Sequence, residues 1–379
     1  MSIALVNGRV LLGDGFHADR AVLIDGEHIT ALVAASDPRV ARAQAHDLKR
    51  RALVPGFIDC QVNGGGGVLL NDEPTATAVK RIAAAHRRFG TTGLLPTLIT
   101  TDLAVMRAAA HAVREAIAAG ESGVLGIHFE GPLLSPSRPG VHDPALFRQV
   151  DRELIDIVTS PTGRTLLTVA PECVPPATIR ELAQRGVILS AGHTAANYAT
   201  AHAAFAAGVR GVTHLFNAMS PLHARDPGMV GAALDNADCW CGLIVDGHHV
   251  HPAALRIAVA AKRRGRTMLV TDAMSVVGSS ETSFMLGGEP VTCADGVCKT
   301  ASGVLAGSAL DMATAVRNAV RLLDLPLDEA ARMASTYPAE FLRIDAERGS
   351  IAAGLRADLV ELDDQLCVQQ VWEGGKPQL

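Results

Sequence analysis

The chain has 379 residues, 48% of them hydrophobic, enough for one large domain plus a smaller one, since single cores rarely grow past about 300 residues. A net charge of −5 with scattered Lys and Arg gives no basic field for a polyanion, so nucleic acid is not an expected partner. The start lacks a basic segment followed by an apolar one, and no run reaches the roughly 20 apolar residues of a membrane span; a cytoplasmic protein is expected.

Residues 1–52 carry short alternating runs (Ile3 to Val6, Ala21 to Ile24, Ile29 to Val33) with turn signals at Asn7-Gly8, Asp14-Gly15 and Asp25-Gly26. A second such stretch, Asp358 to Leu362 and Leu366 to Trp372, lies near the other end. The economical expectation is one small β-sandwich assembled from both termini, residues 1–52 and 348–379.

Between them, Ala-rich helical stretches alternate with β-branched or Leu-rich runs, the mark of βα units on a parallel sheet. The runs fall at about 53–59, 93–97, 124–129, 165–170, 187–191, 211–214, 241–245 and 268–271. Eight is the number that closes a TIM (β/α)8 barrel, expected over 53–347. The stretch 284–298, with turns at Gly287-Gly288 and Asp295-Gly296, reads as a hairpin inserted after the last barrel strand. The fold class is therefore α/β.

Seven cysteines, odd in number and irregularly spaced, argue against a disulfide framework and suit a reducing compartment. Cys239-Trp-Cys241 is too short for a C-x-x-C metal pair and reads as buried thiols. With 3% aromatic residues there is little ring surface for stacking, so specificity falls to polar groups.

Four apolar runs end at Glu130, His193, His214 and Asp272. Two His and one Glu form a recurring zinc set that leaves a coordination position open, so Glu130, His193 and His214 are the candidate ligands. A lone His at a strand end is more often structural; three matching strand ends reverse that expectation. A metal so held brings the pKa of water from about 15.7 towards 7. Asp272 closes the last strand where it can accept a proton and return it to a leaving amine. His142 is the candidate donor to an oxyanion, and His128, two before Glu130, is read as facing the barrel interior.

In binuclear hydrolases of this barrel type an H-x-H pair ends the first strand. Here the slot holds Gln61-Val-Asn63, neither amide a strong zinc ligand, so one metal is expected. The mixed N/O set suits zinc and also accepts iron, cobalt or manganese. The glycines at 64–67 lack the lysine of a phosphate loop, leaving flexibility or close packing as their use.

Seven segments in order resemble the N-acetylglucosamine-6-phosphate deacetylases of the amidohydrolase superfamily. They are Pro55-Gly-Phe-Ile-Asp-Cys-Gln-Val-Asn-Gly64, Leu95-Pro-Thr-Leu-Ile-Thr-Thr101, His128-Phe-Glu-Gly-Pro132, Leu189-Ser-Ala-Gly-His-Thr194, Thr213-His-Leu-Phe-Asn-Ala-Met219, Asp246-Gly-His-His-Val250 and Val270-Thr-Asp-Ala273. The resemblance implies hydrolysis of N-acetyl-D-glucosamine 6-phosphate to D-glucosamine 6-phosphate and acetate, in amino-sugar catabolism and cell-wall recycling. It implies one divalent metal on Glu130, His193 and His214, and acid/base work by Asp272. It implies substrate contacts at Gln61, Val141, His142, Asn217, Ala218, Arg225, His249, Leu305, Ala306 and Gly307. Arg225 and His249 are the implied phosphate partners, supplied across a homodimer interface to the neighbouring site. The loop Ser135-Pro-Ser-Arg-Pro-Gly140 departs from the lysine-bearing loop of the family, so His142 is expected on a stiffer or shifted support. Two other readings are kept: a deacetylase of another N-acetylated sugar phosphate, such as N-acetylgalactosamine 6-phosphate, and a catalytically silent barrel scaffold. A cyclic amidase is disfavoured, because it needs the strand-one histidines and a bridging lysine.

Overall fold

The computed structural model describes residues 2–160 and 162–379. Eight parallel strands form one sheet in chain order: β1 (Phe57–Val62), β2 (Thr91–Ile99), β3 (Gly126–Glu130), β4 (Arg164–Val169), β5 (Ile188–Ala191), β6 (Val209–Val212), β7 (Trp240–Leu243) and β8 (Thr267–Leu269). The sheet closes on itself just past β8, where Val62 bridges Ala273 in parallel and the Asp272 N–H donates to Gln61 O at 3.0 Å. A helix follows each of the first seven strands, and Met312–Leu323 follows the eighth after an insertion. This is the expected (β/α)8 barrel.

Local chemistry sets the helix starts. Thr75, Asp102, Asn197 and Asp311 each accept a backbone N–H three residues on, satisfying donors left open at a helix N-terminus, worth about 1 kcal/mol each. The β1–β6 strands are buried along nearly their whole length, as strands covered on both faces must be, and their runs are accordingly apolar and not alternating.

One predicted run divides. Ala52–Pro55 leaves the barrel and pairs with Leu359–Leu362 and Arg9–Leu12, while β1 begins only at Phe57. Gly56 marks the break: a Cβ there would lie 2.1 Å from Thr92 Oγ1, so only glycine lets the chain pass β2 at this point. The terminal segments build two sheets, one with Ile3–Val6, Arg20–Asp25, His28–Ala34 and Gln44–Asp47, the other including Leu359–Leu362 and Val368–Glu373. Leu5, Val22, Ile29, Leu53, Leu359 and Trp372 are buried together between them.

The insertion is larger than a hairpin. Four antiparallel strands, Ser283–Leu286, Glu289–Ala294, Val297–Thr300 and Leu305–Ser308, form its sheet. Its register puts Cys293 opposite Cys298, and the two are joined as a disulfide, a correction to the reading of a chain without such bonds. Cys239 and Cys241 are buried thiols. The glycines at 64–67 serve close packing: a Cβ on Gly64 would lie 2.4 Å from Val68 O, and one on Gly65 2.9 Å from the His86 ring. Among the described residues no helix is long and apolar enough to cross a membrane.

Candidate active site

Glu130 is the last residue of β3, while His193, His214 and Asp272 sit two or three residues beyond β5, β6 and β8. All four therefore gather at the C-terminal mouth of the barrel. The last three have φ of 47°, 33° and 54°, in the left-handed region that His and Asp enter more readily than most side chains. Such strain, held by the surrounding hydrogen bonds, turns each side chain inward where an extended residue would continue the strand.

Glu130 Oε1 lies 3.0 Å from His214 Nε2 and 3.4 Å from His193 Nε2, and the two imidazole nitrogens are 3.1 Å apart. One ligand atom from each residue falls within 4.8 Å of the others, a grouping able to hold a metal ion. The donor set fits a cation on independent grounds. His193 Nδ1 lies 3.0 Å from Arg138 O, an acceptor, so the ring carries its proton on Nδ1 and presents a bare Nε2 to the site. Burial works to raise the Glu130 pKa, yet the neighbouring His193 and His214 rings hold it well below the usual carboxylate range. A carboxylate and imidazole lone pairs converging in a buried place require positive charge between them.

The proline-rich loop docks on His193. Ser135 N–H donates to His193 O at 2.9 Å, and a Cβ on Gly140, which has φ +58°, would stand 3.1 Å from His193 Cε1. The loop then places His142 5% exposed against the site, with Nε2 3.9 Å from Glu130 Oε2. Its Nδ1 faces the Thr100 backbone N–H at 3.3 Å and the Thr100 hydroxyl at 2.8 Å. A backbone N–H can only donate, so Nδ1 is bare, the hydroxyl donates too, and the ring proton sits on Nε2, facing the pocket. Burial, then neighbouring His193, pushes the His142 pKa down to about 3, so the ring is neutral. His142 is thus a neutral N–H donor.

Asp272 is held by two amides on one oxygen. Gln61 Nε2 and Asn63 Nδ2 reach Oδ1 at 3.0 and 2.7 Å, and Gln61 Nε2 also donates to Glu130 Oε1 at 3.1 Å. Burial first, and Glu130 second, push the Asp272 pKa up. His128 faces the barrel interior, between Thr97 Oγ1 at 3.1 Å and Thr168 Oγ1 at 2.8 Å, and burial lowers it to about 4.

A pocket of about 230 Å³ opens over these groups. Of the expected substrate contacts, Val141, His142, Asn217, Ala218, His249, Leu305 and Gly307 line it. Three do not. Gln61 is 2% exposed and engaged with the two carboxylates beneath. Ala306, alternating with its strand neighbours, packs behind with Met274 and Val291. Arg225 is exposed on its loop, outside the pocket. His249 corrects a second expectation: it lines the pocket of its own chain, so it needs no interface to reach it. Asp246 Oδ2 lies 2.6 Å from its Nδ1, while Oδ1 accepts the backbone N–H groups of His248 and His249. Sequence reading passed over Asn63 and Thr100 as site residues. Asn63 stood in the Gln61-Val-Asn63 slot, weighed only as a metal ligand; Thr100 stood in the Leu95–Thr101 segment, with no role assigned to it.

Comparison with known proteins agrees with this geometry. Residues 52–378 match the model of the Amidohydrolase family. The chain is 47% identical to the N-acetylgalactosamine-6-phosphate deacetylase of Shewanella sp. (strain ANA-3) over 325 residues, 86% of this chain and 82% of that protein. It is 34% identical to the N-acetylglucosamine-6-phosphate deacetylase of Haemophilus influenzae over 363 residues, 95% of this chain and 94% of that one. The crystal structure of N-acetylglucosamine-6-phosphate deacetylase from Pasteurella multocida superposes with a TM-score of 0.95 at 34% identity, covering 100% of this chain and 99% of that one. With the barrel, the strand-end candidate ligands and these matches together, the chain belongs to the amidohydrolase family.

Proposed function

We propose that this protein hydrolyses N-acetyl-D-glucosamine 6-phosphate to D-glucosamine 6-phosphate and acetate, a step of amino-sugar catabolism and cell-wall recycling. The observation that carries the reading is the convergence of Glu130, His193 and His214 under Asp272, in a chain whose relatives are named as deacetylases of N-acetylated sugar phosphates. A silent scaffold would have no use for this complete set.

Glu130, His193 and His214 would hold one divalent ion, zinc in our reading. When bound, such an ion supplies Lewis acidity, acidifying water and polarising a carbonyl. Asp272 takes the proton of the attacking water and returns it to the amide nitrogen as the C–N bond breaks; its raised pKa suits both transfers, a role worth about 10²- to 10⁴-fold. His142 donates its Nε2 proton in a hydrogen bond to the carbonyl oxygen as charge develops there, worth about 10²- to 10³-fold. The sugar lies towards Asn217, Ala218 and Leu305, with the phosphate at His249. Exposed and outside its own pocket, Arg225 reaches a phosphate only in the site of a second copy, which makes the working form a homodimer. We take 53–347, less the sandwich strand Ala52–Pro55 at its start, as the catalytic unit and 1–52 with 348–379 as the flanking one.

A second reading, the galactosamine epimer, is favoured by the 47% identical relative. Acetate release from the two epimeric 6-phosphates by the metal-loaded protein decides between them. Faster turnover of the glucosamine compound is expected, the reverse order selects the second reading, and release from neither overturns both.

A further inference from the structure

The space over the candidate ligands does not end at His142. A second cavity of about 640 Å³ adjoins the pocket, and Ile99, Gly140, Val141, His142 and Val304 line both. One wall of this cavity is the loop that carries Val141 and Leu146, and the other is the inserted sheet, with Leu286, Thr300 and Val304. Ile99 and Val141 pack against the buried core of the insertion, which holds Leu286 and Met274, so one wall is seated on the other. Side chains common to the two cavities, Ile99, Val141 and Val304, make their junction apolar; Asn71, Thr101 and Ser302 line only the second. Asp72, Asp143 and Glu289 also line the second cavity, and among the described residues no Lys or Arg does. Such a lining suits an uncharged chain and repels an anion.

We propose that the second cavity is an acyl subsite, and that the protein also hydrolyses uncharged N-acyl groups longer than acetyl from the same hexosamine 6-phosphates. The inference rests on the proposed deacetylation and deepens it by naming the acyl class. Substrate shape carries the direction. In a 2-acylamino hexose 6-phosphate, C2 and C5 stand opposite each other across the ring, so the acylamino and phosphoryl groups leave from opposite ends. With the phosphate at His249 and the carbonyl oxygen at His142 Nε2, the substituent on the carbonyl carbon runs onward, away from the sugar. That path passes Ile99 and Val141 into the second cavity. A methyl group stops at the junction, whereas a longer chain continues past it and buries its methylenes on apolar side chains. The chemistry is unchanged: water oxygen bonds to the carbonyl carbon, its proton passes through Asp272 to the nitrogen, and the C–N bond breaks. The products are the free amine and the longer carboxylate, with no further reactant. An acyl chain ending in a carboxylate is rejected, because Asp72, Asp143 and Glu289 meet it with like charge.

The test uses the N-acetyl, N-butanoyl and N-succinyl hexosamine 6-phosphates on the metal-loaded protein, the last two having acyl chains of equal length. The kcat/KM for N-butanoyl is expected within about tenfold of that for N-acetyl; a larger deficit overturns the proposal, because a pocket closed behind the methyl group would have to be overpacked. N-succinyl is expected at least about tenfold below N-butanoyl, and a smaller gap shows that the chain lies elsewhere. Glu289→Lys puts a cation on the wall, so at low ionic strength the butanoyl-to-succinyl ratio should fall at least about threefold. That ratio is taken within one preparation and does not depend on how much of it is folded; a smaller change overturns the assignment of the cavity. Calorimetry on Asp272→Asn gives a readout free of turnover: N-butanoyl should bind within about tenfold of N-acetyl, and weaker binding than that overturns the proposal. A wild type inactive on N-acetyl would sink the deacetylase reading itself, whereas one active on N-acetyl alone sinks only the acyl subsite.

Discussion

Gln61 and Asp272 meet at the seam of the barrel, joined by a 3.0 Å hydrogen bond from the Gln61 amide to Oδ1, while the same nitrogen reaches Glu130 at 3.1 Å. One NH₂ group therefore ties the candidate proton carrier to a candidate metal ligand and eases the repulsion between two buried carboxylates. Gln61→Leu keeps much of the volume and removes both bonds. We expect kcat and metal affinity each to fall about 10- to 100-fold, read by steady-state kinetics and by metal retained on dialysis. Wild-type values for both would show the bridge to be idle.

Asp272→Asn removes the titrating group with little change of shape. Metal content should stay near that of the wild type while turnover falls about a thousandfold. Metal analysis and acetate release on one preparation check this; turnover within tenfold of wild type would assign proton transfer elsewhere.

Asp59 is wholly buried beneath the seam, and burial raises its pKa from 3.8 to about 7. Its Oδ1 accepts from the N–H groups of Gln61 and Thr271, and Oδ2 lies 2.5 Å from the Thr271 hydroxyl. The folded pKa is raised above the unfolded one, so folding favours the protonated form. That contribution is complete below the unfolded value and is lost as pH rises towards about 7. Asp59→Asn presents an NH₂ where the acid presents its O–H. The variant should match wild type near pH 4 and exceed it above pH 7, by at most on the order of 4 kcal/mol. Denaturant unfolding at the two pH values measures the difference; a variant equally destabilised at both would mean that Asp59 is ionised when folded.

Arg225→Ala should raise KM for the phosphorylated sugar at least about tenfold, the worth of a charge-assisted hydrogen bond. Unphosphorylated N-acetylglucosamine should be little affected. Equal losses on both would place the guanidinium away from the phosphate.

The barrel was legible because its strands are buried on both faces and so write themselves as apolar runs ending in chemistry, as at Glu130 and Asp272. Ala52–Pro55 was misplaced because a sandwich strand and a barrel strand are equally apolar there, and only contact with Thr92 separates them at Gly56. The candidate site residues could be named from position, but the positive φ of His193, His214 and Asp272 could not, since composition does not encode backbone hand. Thr100 was invisible for a different reason: its importance lies in facing His142 across 42 residues, a contact that no local pattern records. His249 could be matched by motif, yet its place in the pocket of its own chain depends on how Asp246 turns the loop.

The central claim is that one ion, held by Glu130, His193 and His214, is needed for amide hydrolysis. Metal can be titrated into stripped protein while acetate release from N-acetyl-D-glucosamine 6-phosphate is followed. Turnover should rise linearly and break at one equivalent. Full turnover by the stripped protein, or a break only at two equivalents, would contradict it.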